Sequence, residues 1–373
     1  MEGKLFLITA LMIHVCFTAK GQFNSECGKK KPLRLGIIGL VHDHVHGVFQ
    51  NFQNPDVEIV GIAEMDTALV NKYISQYHID KTIIYDSTEE LIAKAKPEAV
   101  SVFTPTSDHL KVVQICAPHG IHVMVEKPLA INYEQAKEMN DFAEKWDIEI
   151  ITNYETTWYP VTQEAFIKIN KDKLVGEIRK IVVHDGHKGP IEIGCSKDFT
   201  NWLTDPEFNG GGAITDFGCY GTNLISYLMH GERPVSVTAV TQQIKPELYP
   251  KVDDEATIII TYPKAQGIIQ ASWNWPFNRK DMEIYGTTGY ILTSDNVHMK
   301  IKTSEQSQEQ LLEIDSDKAI AKNPFSFFAS VVREKIKLES NDPSSLSLNL
   351  VAMEILDAAI RSSKEKETIY LKH

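Results

Sequence analysis

From Leu33 onward the chain alternates short apolar runs with stretches of helical periodicity, and this alternation limits the fold more than any other feature. The pattern is typical of a doubly wound α/β domain built on a parallel sheet. It predicts strands over 33–39, 57–63, 99–103, 121–125 and 149–152, with helices over 45–53, 66–77, 87–95, 107–119 and 132–147. A ligand crevice is expected at the carboxyl ends of these strands.

After about residue 153 the pattern changes to strands with a period of two. They are predicted over 177–186, 235–244, 255–262, 267–274, 281–286 and 297–303, and two closing helices over 325–337 and 345–362. Such strands favour an open, largely antiparallel sheet with one covered face. The fold class is therefore α/β, with a second α/β domain over 154–373.

The turn after the first predicted strand is poor in glycine for a dinucleotide site. It reads Gly39-Leu40-Val41-His42-Asp43-His44, so Gly39 holds the first fingerprint position while Val41 and His44 hold the other two. Its place between a strand and a helix still predicts a dinucleotide-binding Rossmann domain over 33–153. Glu64, at the end of the second strand, is placed to accept from ribose hydroxyls and to repel a 2′-phosphate, which favours NAD over NADP.

Histidines in and after this turn raise the question of a metal site. His42 and His46 would share one face of a helix, but no carboxylate or cysteine at a readable spacing completes a ligand set. We interpret these histidines as loop donors to a pyrophosphate or a substrate, and we expect no metal.

Two further motifs carry chemistry. Lys127, in Glu126-Lys127-Pro128-Leu129, follows a strand and precedes a proline, so its backbone is extended and its side chain can point into the crevice. A glycine-rich entry leads to Asp216, Tyr220 and Asn223, which share one face if a helix begins at Ala213. The alternative for Tyr220 is a hydrogen-bonded core residue.

The amino terminus predicts export. Lys4 precedes an apolar stretch over 5–19, and Ala19-Lys20-Gly21 offers small residues for cleavage, so we predict a signal peptide over 1–21 and a periplasmic protein. An uncleaved anchor or a wrongly chosen start codon, which would leave a cytoplasmic protein, are the alternatives. Cleavage leaves four widely spaced cysteines, which are expected to be free thiols.

The net charge of -12 without a long basic run gives no electrostatic footprint for nucleic acid.

These motifs together resemble the Gfo/Idh/MocA oxidoreductase family over roughly residues 33–370. The resemblance rests on Glu126-Lys127-Pro128, on Thr104-Pro105-Thr106 with His109, and on Asp216-Phe217-Gly218-Cys219-Tyr220. It implies a Rossmann domain that binds a nicotinamide cofactor. Many members carry a histidine where this chain has Tyr220, and the chain in this respect is similar to members such as glucose-fructose oxidoreductase and dihydrodiol dehydrogenase.

The motifs and the resemblance give a set of candidate site residues. Lys127, Asp216 and Tyr220 are expected to be catalytic: Tyr220 would exchange the hydroxyl proton if Lys127 lowered its pKa, and Asp216 would orient its neighbours. Cofactor contacts are expected from Gly39, Leu40, Val41, His42, His44, Glu64, Thr104, Pro105, His109, Glu126 and Lys127. Substrate contacts are expected from Lys127, Asn153, His187, Lys188, Asp216 and Tyr220. Trp202 is a further possibility. Trp273, Trp275 and Phe277 could cover a sugar face, but an aromatic strand is more often part of sheet packing or a subunit interface, so they are left out of the site.

Two functions remain open at this stage. The first is an NAD-dependent oxidoreductase that moves hydride to or from a secondary hydroxyl of a sugar or glycoside, with C3 as one position. Because free NAD is not expected outside the cytoplasm, the cofactor would be retained. The second is a redox-neutral, NAD-dependent glycosidase that oxidises, eliminates and re-reduces its substrate. A homo-oligomer formed through the open sheet and no membrane insertion after signal cleavage are also expected.

Overall fold

The computed structural model describes residues 31–50, 54–318 and 323–371. The predicted signal peptide and Cys27 lie outside these ranges. Within the described ranges, no helix combines the length and the apolar character needed to cross a membrane.

The first half alternates strands and helices as predicted. Its elements are β1 (Leu33–Ile38), α1 (Val45–Gln50), β2 (Val57–Ala63), α2 (Thr67–Tyr77), β3 (Ile84–Tyr85), α3 (Thr88–Ala95), β4 (Ala99–Val102), α4 (His109–Cys116), β5 (His122–Glu126), α5 (Tyr133–Trp146) and β6 (Ile150–Asn153). The described strands form a parallel six-stranded sheet in the order β3-β2-β1-β4-β5-β6. This doubly wound sheet confirms the predicted Rossmann architecture.

Local sequence explains where these helices begin. Asp66, Ser87 and Asn132 precede α2, α3 and α5, and each side chain accepts a backbone N–H in the first turn of its helix. Such caps satisfy donors that have no partner inside the helix. The central strand β4 is buried at every residue, because helices cover both faces of the sheet.

The second half wraps helices over one face of a larger sheet. Its elements are α6 (Pro160–Asn170), β7 (Ile178–Gly186), α7 (Lys197–Leu203), α8 (Pro206–Asn209), α9 (Ala213–Asp216), α10 (Gly218–Leu228), β8 (Ser236–Gln242), β9 (Glu255–Thr261), β10 (Gln266–Ser272), β11 (Arg279–Gly286), β12 (Gly289–Thr293), β13 (His298–Thr303), β14 (Gln310–Glu313), α11 (Pro324–Val332), α12 (Leu346–Glu365) and β15 (Ile369–Tyr370). The described strands pair in the order β14-β13-β12-β11-β7-β10-β9-β8-β15. Among the described strands of this sheet, only β7 and β10 pair in parallel, so the predicted open, largely antiparallel sheet is confirmed.

The register between β7 and β11 places charged residues opposite one another. Asp185 pairs with Lys280, and His184 pairs with Asp281. Because successive residues of a strand point to opposite faces, Asp185 and Lys280 share one face, whereas His184 and Asp281 share the other. On that other face His184 Nδ1 lies 2.9 Å from an Asp281 carboxylate oxygen.

Several elements differ from the sequence prediction. Helix α6 lies in a segment between 153 and 177 for which no element was predicted; its buried stripe of Val161, Ala165 and Ile169 follows a Pro160 start. The helix predicted from Ala213 is interrupted at Phe217, so that α9 and α10 are separate. Helix α10 nevertheless approaches β10 closely, as its glycines predicted, because a Cβ at Gly221 would lie 2.6 Å from Ile269.

Candidate active site

The carboxyl ends of β1, β2 and β4 border a cavity of about 330 Å3. Gly39, Glu64, Thr104 and Pro105 are among its lining residues. Gly39 has a φ of 80°, and a Cβ there would lie 2.7 Å from the Thr104 methyl carbon, so this position requires glycine. Gly39 itself is buried, and this cavity at the carboxyl ends of parallel strands lies where a Rossmann fold holds a dinucleotide.

Glu64 supports this turn directly. Its carboxylate accepts the backbone N–H groups of Leu40 and Asp66, each at 3.0 Å. The side chain therefore fixes the loop at the same strand end where a ribose would lie in a Rossmann site.

The loop over 39–44 is also fastened to the second half of the chain. The Asp43 carboxylate accepts from the Ser196 backbone N–H at 2.8 Å and from its hydroxyl at 2.6 Å. Phe199 and Trp202 pack against the buried His42 ring, at centroid distances of 4.7 and 5.5 Å. Trp202 is thus buried beside the loop.

The histidines of this region form a hydrogen-bonded chain. His44 Nδ1 lies 2.8 Å from Glu126, and the His44 N–H donates to His42 Nδ1 at 3.2 Å. The donor atoms of His42, His44 and Glu126 lie within 4.8 Å of one another, an arrangement that the sequence did not reveal. His42 Nδ1 already accepts a backbone N–H, so it has no lone pair free for an ion. His46, considered with His42 in the sequence, instead contacts Tyr77 at 2.6 Å.

Lys127 and Asp216 form a buried ion pair. Lys127 Nζ donates to the Asp216 carboxylate and, at 3.2 Å, to its backbone oxygen; the side chains are 5% and 7% exposed. Burial opposes the charge on Asp216, but the Lys127 ammonium outweighs it and holds the pKa of Asp216 below its usual value. The other carboxylate oxygen accepts from Trp273 Nε1 at 3.0 Å. Trp273 is fully buried, as sheet packing predicts, and it also has this hydrogen bond, which the sequence did not indicate.

Tyr220 lies beside this pair, but its pKa is shifted in the direction opposite to the one we expected. Burial raises the pKa of Tyr220 well above its usual value, and Glu155 and Asp185 raise it further. The expectation that Lys127 would lower this pKa is wrong. Lys127 Nζ lies 5.3 Å from the centre of the Tyr220 ring, and its hydrogen bonds go to Asp216.

A second lysine, which the sequence analysis missed, lies closer to the Tyr220 hydroxyl. Lys280 Nζ is 3.5 Å from that oxygen and 2.5 Å from the Glu155 carboxylate. Asp185 lies opposite Lys280 in the register, and it is buried. The period of two in β7 was a signal for Asp185, since it places this carboxylate in the row of Ile181 and Val183. No motif marks Lys280 or Glu155.

A cavity of about 560 Å3 opens next to this cluster. His187, Glu155, Tyr159 and Lys280 are among its lining residues. His187, one of the predicted substrate residues, therefore lines this cavity. Its ring packs edge-on against Phe217, with the ring centres 4.8 Å apart. Lys188 is exposed and does not line it; its backbone oxygen accepts from Lys245 at 2.6 Å.

Asn153 lies in a neighbouring cavity of about 410 Å3, together with His44 and Glu126. Its amide donates to Glu126 at 2.7 Å, and its oxygen accepts from Trp158 at 2.8 Å. The structure therefore brings Asn153 next to residues expected to contact the cofactor.

Two of the residues named from the sequence have other contacts. His109 is buried, and its Nδ1 lies 3.1 Å from the Leu129 backbone oxygen, so it supports the segment that follows Lys127. Asn223 donates to the Pro343 oxygen at 2.8 Å and belongs to the contact with α12. Within the described ranges, Cys116, Cys195 and Cys219 are free, as predicted.

Comparison with known proteins agrees with this geometry. Residues 33–154 match the oxidoreductase family with an NAD-binding Rossmann fold, and residues 167–292 match the GFO/IDH/MocA C-terminal domain. Among solved structures, aldose-aldose oxidoreductase from Caulobacter crescentus superposes with a TM-score of 0.77 at 22% identity, covering 91% of this chain and 100% of that one. An inositol dehydrogenase homolog from Azotobacter vinelandii, solved with NAD+, gives 0.78 at 17% identity, covering 92% and 98%.

Two relatives with assigned activities, both dehydrogenases, match part of this chain. Trans-1,2-dihydrobenzene-1,2-diol dehydrogenase from Xenopus tropicalis is 28% identical over 63% of this chain and 67% of its own length. D-glucoside 3-dehydrogenase from Escherichia coli (strain K12) is 27% identical, and the match spans 56% of this chain and 57% of that enzyme. The two family matches, the two sheets and the Lys127–Asp216–Tyr220 cluster lead to one conclusion: this chain is an oxidoreductase that belongs to the Gfo/Idh/MocA family.

Proposed function

We propose that the protein transfers a hydride between a bound nicotinamide cofactor and a secondary hydroxyl or ketone of a sugar or glycoside. The observation that carries this proposal is the meeting of Lys127, Asp216 and Tyr220 next to Lys280, which lines the cavity of about 560 Å3. The D-glucoside 3-dehydrogenase relative supports C3 as the position.

The cofactor would be held by the loop over 39–44, by Glu64 and by the Thr104-Pro105 turn. When bound, the nicotinamide supplies or removes the hydride, and the protein contributes position, charge and proton transfer. The Lys127 ammonium is placed to donate to the substrate oxygen, and Asp216 fixes that ammonium through its two contacts. Tyr220, neutral because burial raises its pKa, is placed to give its proton to a carbonyl oxygen during reduction.

We propose NAD rather than NADP, on the basis of Glu64. Its carboxylate at the end of β2 would repel a 2′-phosphate and accept from the ribose. Glu64→Ala should weaken NAD binding and reduce the preference for NAD, which isothermal titration with both cofactors measures. Equal affinity of the unmutated protein for NAD and NADP would contradict this assignment.

Retention of the cofactor between turnovers is a further part of the proposal. The contacts of Asp43 with Ser196 support it, because they tie the loop that would hold the pyrophosphate to the second half of the chain. Native mass spectrometry of the purified protein should show a bound nicotinamide cofactor, whereas a protein that binds NAD only when it is added would oppose retention.

Activity tests separate the two functions left open by the sequence. Incubation with glycosides should give a 3-keto product and, with a second carbonyl compound, its reduced form. Release of the aglycone from a chromogenic glycoside without net redox change would instead indicate the redox-neutral glycosidase. The assigned relatives are dehydrogenases, so the oxidoreductase is favoured.

Export and self-association are proposed on separate grounds. Export to the periplasm rests on the apolar amino-terminal sequence. A homo-oligomer through the open sheet is supported by apolar side chains on its outer face, where Val240 is 69% and Ile259 is 37% exposed.

A further inference from the structure

Tyr220 lies between two lysines that differ in what they contact. The amine of Lys280 is 3.5 Å from the Tyr220 oxygen and 4.5 Å from the centre of its ring. The amine of Lys127 is 5.3 Å from the ring centre and is bound to Asp216. Of these two cations, Lys280 is therefore the one in contact with the group that exchanges a proton.

Lys280 also has a route to solvent that Lys127 lacks. It is paired with Glu155, whose side chain is 48% exposed, whereas both members of the Lys127–Asp216 pair are almost fully enclosed. Lys280 and Glu155 both line the cavity of about 560 Å3. A proton on Lys280 can thus be replaced from that cavity without passing Lys127.

The charges around these groups come from several elements. Glu155 approaches Lys280 from the short turn Glu155–Trp158, and Asp185 approaches it from β7. Lys127 opposes the charge of Lys280 from the end of β5. Tyr220 is faced by Glu155, Asp185, Cys219 and Asp216.

We propose that Lys280 is the proton partner of Tyr220, that Glu155 connects it to solvent, and that Lys127 serves Asp216 and the substrate oxygen instead. This inference rests on the proposed hydride transfer and assigns its proton route. Lys280 acts through Tyr220 and is a positioning residue for the tyrosine proton.

The proton transfers balance as follows. In reduction, the Tyr220 O–H bond breaks and a new O–H bond forms on the carbonyl oxygen of the substrate, while the carbonyl carbon gains the hydride. The Tyr220 oxygen then takes a proton from the Lys280 ammonium, and the resulting amine regains one from water beside Glu155. Oxidation reverses each transfer, so the hydroxyl proton leaves to solvent by the same groups.

The electrostatics agree with a resting state in which Tyr220 and Lys280 both carry their protons. Burial opposes the charge of Lys280, but Asp185 and Glu155 outweigh it and raise its pKa. Burial also opposes the charge of Glu155, but Lys280 outweighs it and lowers the pKa of Glu155 to about 2. The pair is then an ammonium and a carboxylate at neutral pH.

The decisive experiment measures the ionisation of residue 220 without substrate or cofactor. Tyr220 is replaced by 3,5-difluorotyrosine, whose lower intrinsic pKa brings its ionisation within reach, and the fluorine NMR signal is followed against pH. Lys280→Met in this background should raise the midpoint by about one pH unit or more, because an adjacent opposite charge typically shifts a pKa by about 1–3 units. Lys280→Arg, which keeps the charge, should restore most of the shift.

Lys168→Met is the matched control. Lys168 also forms a lysine–glutamate pair, with Glu164 at 3.0 Å, and its side chain is 21% exposed against 20% for Lys280. This control should leave the midpoint unchanged. An unchanged midpoint in Lys280→Met, or a larger shift in Lys127→Met, would overturn the proposal and make Lys127 the proton partner. Because the NMR titration uses no substrate, its result does not depend on whether the substrate is a sugar.

A kinetic measurement tests the route to solvent. Lys280→Ala should slow ketone reduction about 10- to 100-fold, and added methylamine should recover part of the loss through the open cavity. Glu155→Gln should change the dependence of the reduction rate on pH, whereas Lys168→Met should not. A Lys280→Ala protein that folds, reduces the ketone at the normal rate and ignores methylamine would contradict the proposed route.

Discussion

The two lysine–carboxylate pairs on either side of Tyr220 differ in enclosure and in origin. Lys127 and Asp216 are 5% and 7% exposed, and both belong to motifs that stand out in the sequence. Lys280 and Glu155 are 20% and 48% exposed, lie 125 residues apart and belong to no motif. The first pair is sealed between the two halves of the chain, and the second opens to a cavity.

The difference in exposure suits the two pairs to different tasks in the reaction. An enclosed pair keeps its protonation state and its geometry, because neither partner can separate without leaving a buried charge. A pair that reaches water can gain and lose protons within a catalytic cycle. The positions that recognise the reacting oxygen and the positions that exchange its proton are therefore held by different lysines.

The largest expected loss of turnover follows substitution of Tyr220, which lies next to both lysine–carboxylate pairs. Tyr220→Phe keeps the ring and removes the proton carrier, so turnover should fall about 100- to 10,000-fold. Lys127→Ala should cause a loss of similar size, and the double variant should lose much less than the product of both factors, because both side chains act on the same substrate oxygen in one step. Steady-state kinetics on a glycoside that the parent protein oxidises measures all three.

Tyr262→Phe is the control for this series. Tyr262 is buried in the second half, and within the described ranges its hydroxyl has no hydrogen-bond partner. Its turnover should match that of the parent. Near-normal turnover of Tyr220→Phe would show that Tyr220 is a packing residue. Neither lysine would then act on a tyrosine that transfers a proton.

The second prediction concerns the support of the enclosed pair. Burial lowers the pKa of His109 from 6.5 to about 4. Between pH 6.5 and pH 4 the imidazole of His109 is therefore protonated in the unfolded chain but neutral in the folded protein. Stability contributed by neutral His109 is present above pH 6.5 and is lost as the pH falls towards 4, by at most about 3 kcal/mol. His109→Asn keeps a donor for the Leu129 oxygen but cannot titrate. Urea unfolding between pH 7 and pH 4 should give a flatter dependence for this variant, and parallel curves would contradict the assignment.

The third prediction tests the second contact of Asp216. Trp273→Phe removes the indole N–H and leaves a buried carboxylate oxygen with one donor fewer. The free energy of unfolding should fall by about 1–3 kcal/mol, the usual cost of a buried unsatisfied group. Urea unfolding at pH 7 measures it, with Trp275→Phe as a half-buried control in the same segment. Equal losses in both variants would assign Trp273 to packing alone.

The smallest effect is expected at the open pair. Tyr159 donates to Glu155 at 2.6 Å, so Tyr159→Phe removes one of the contacts that keep this carboxylate ionised. Because Glu155 is half in solvent, stability should change by less than about 1 kcal/mol. Turnover should change less than about tenfold. A loss as large as that of Tyr220→Phe would show that the open pair is as tightly constrained as the enclosed one.

Much of the first half was readable from the sequence, because local patterns determine a parallel sheet. Apolar strands, capped helices and short turns occur in order, and they predicted five of the six strands; the two-residue strand β3 was missed because it is too short to show a pattern. The second half was less readable. Helix α6 was missed because its buried stripe is short and interrupted by polar residues, and no local signal in the sequence marked the break at Phe217.

The site divides in the same way. Lys127, Asp216 and Tyr220 could be named because each lies in a local motif, whereas Lys280 could not, because its position depends on how β11 pairs with β7. The direction of the pKa shift of Tyr220 was also beyond the sequence, since it depends on burial by the whole fold. The hydrogen bond from Trp273 to Asp216 was beyond the sequence for the same reason.

The register of β11 has a consequence for insertions and deletions. Arg279, Lys280 and Asp281 follow one another, so sliding this strand by a single residue would present an arginine or an aspartate to Tyr220 in place of the lysine. Asp281, held by His184 at 2.9 Å and by Arg279 at 2.5 Å on the opposite face, fixes the alignment. A one-residue change in the length of the preceding loop can be absorbed there. A one-residue insertion or deletion inside β11 would instead change which charged side chain lies beside Tyr220. Lys280 would still be in the sequence, but it would no longer lie at the site.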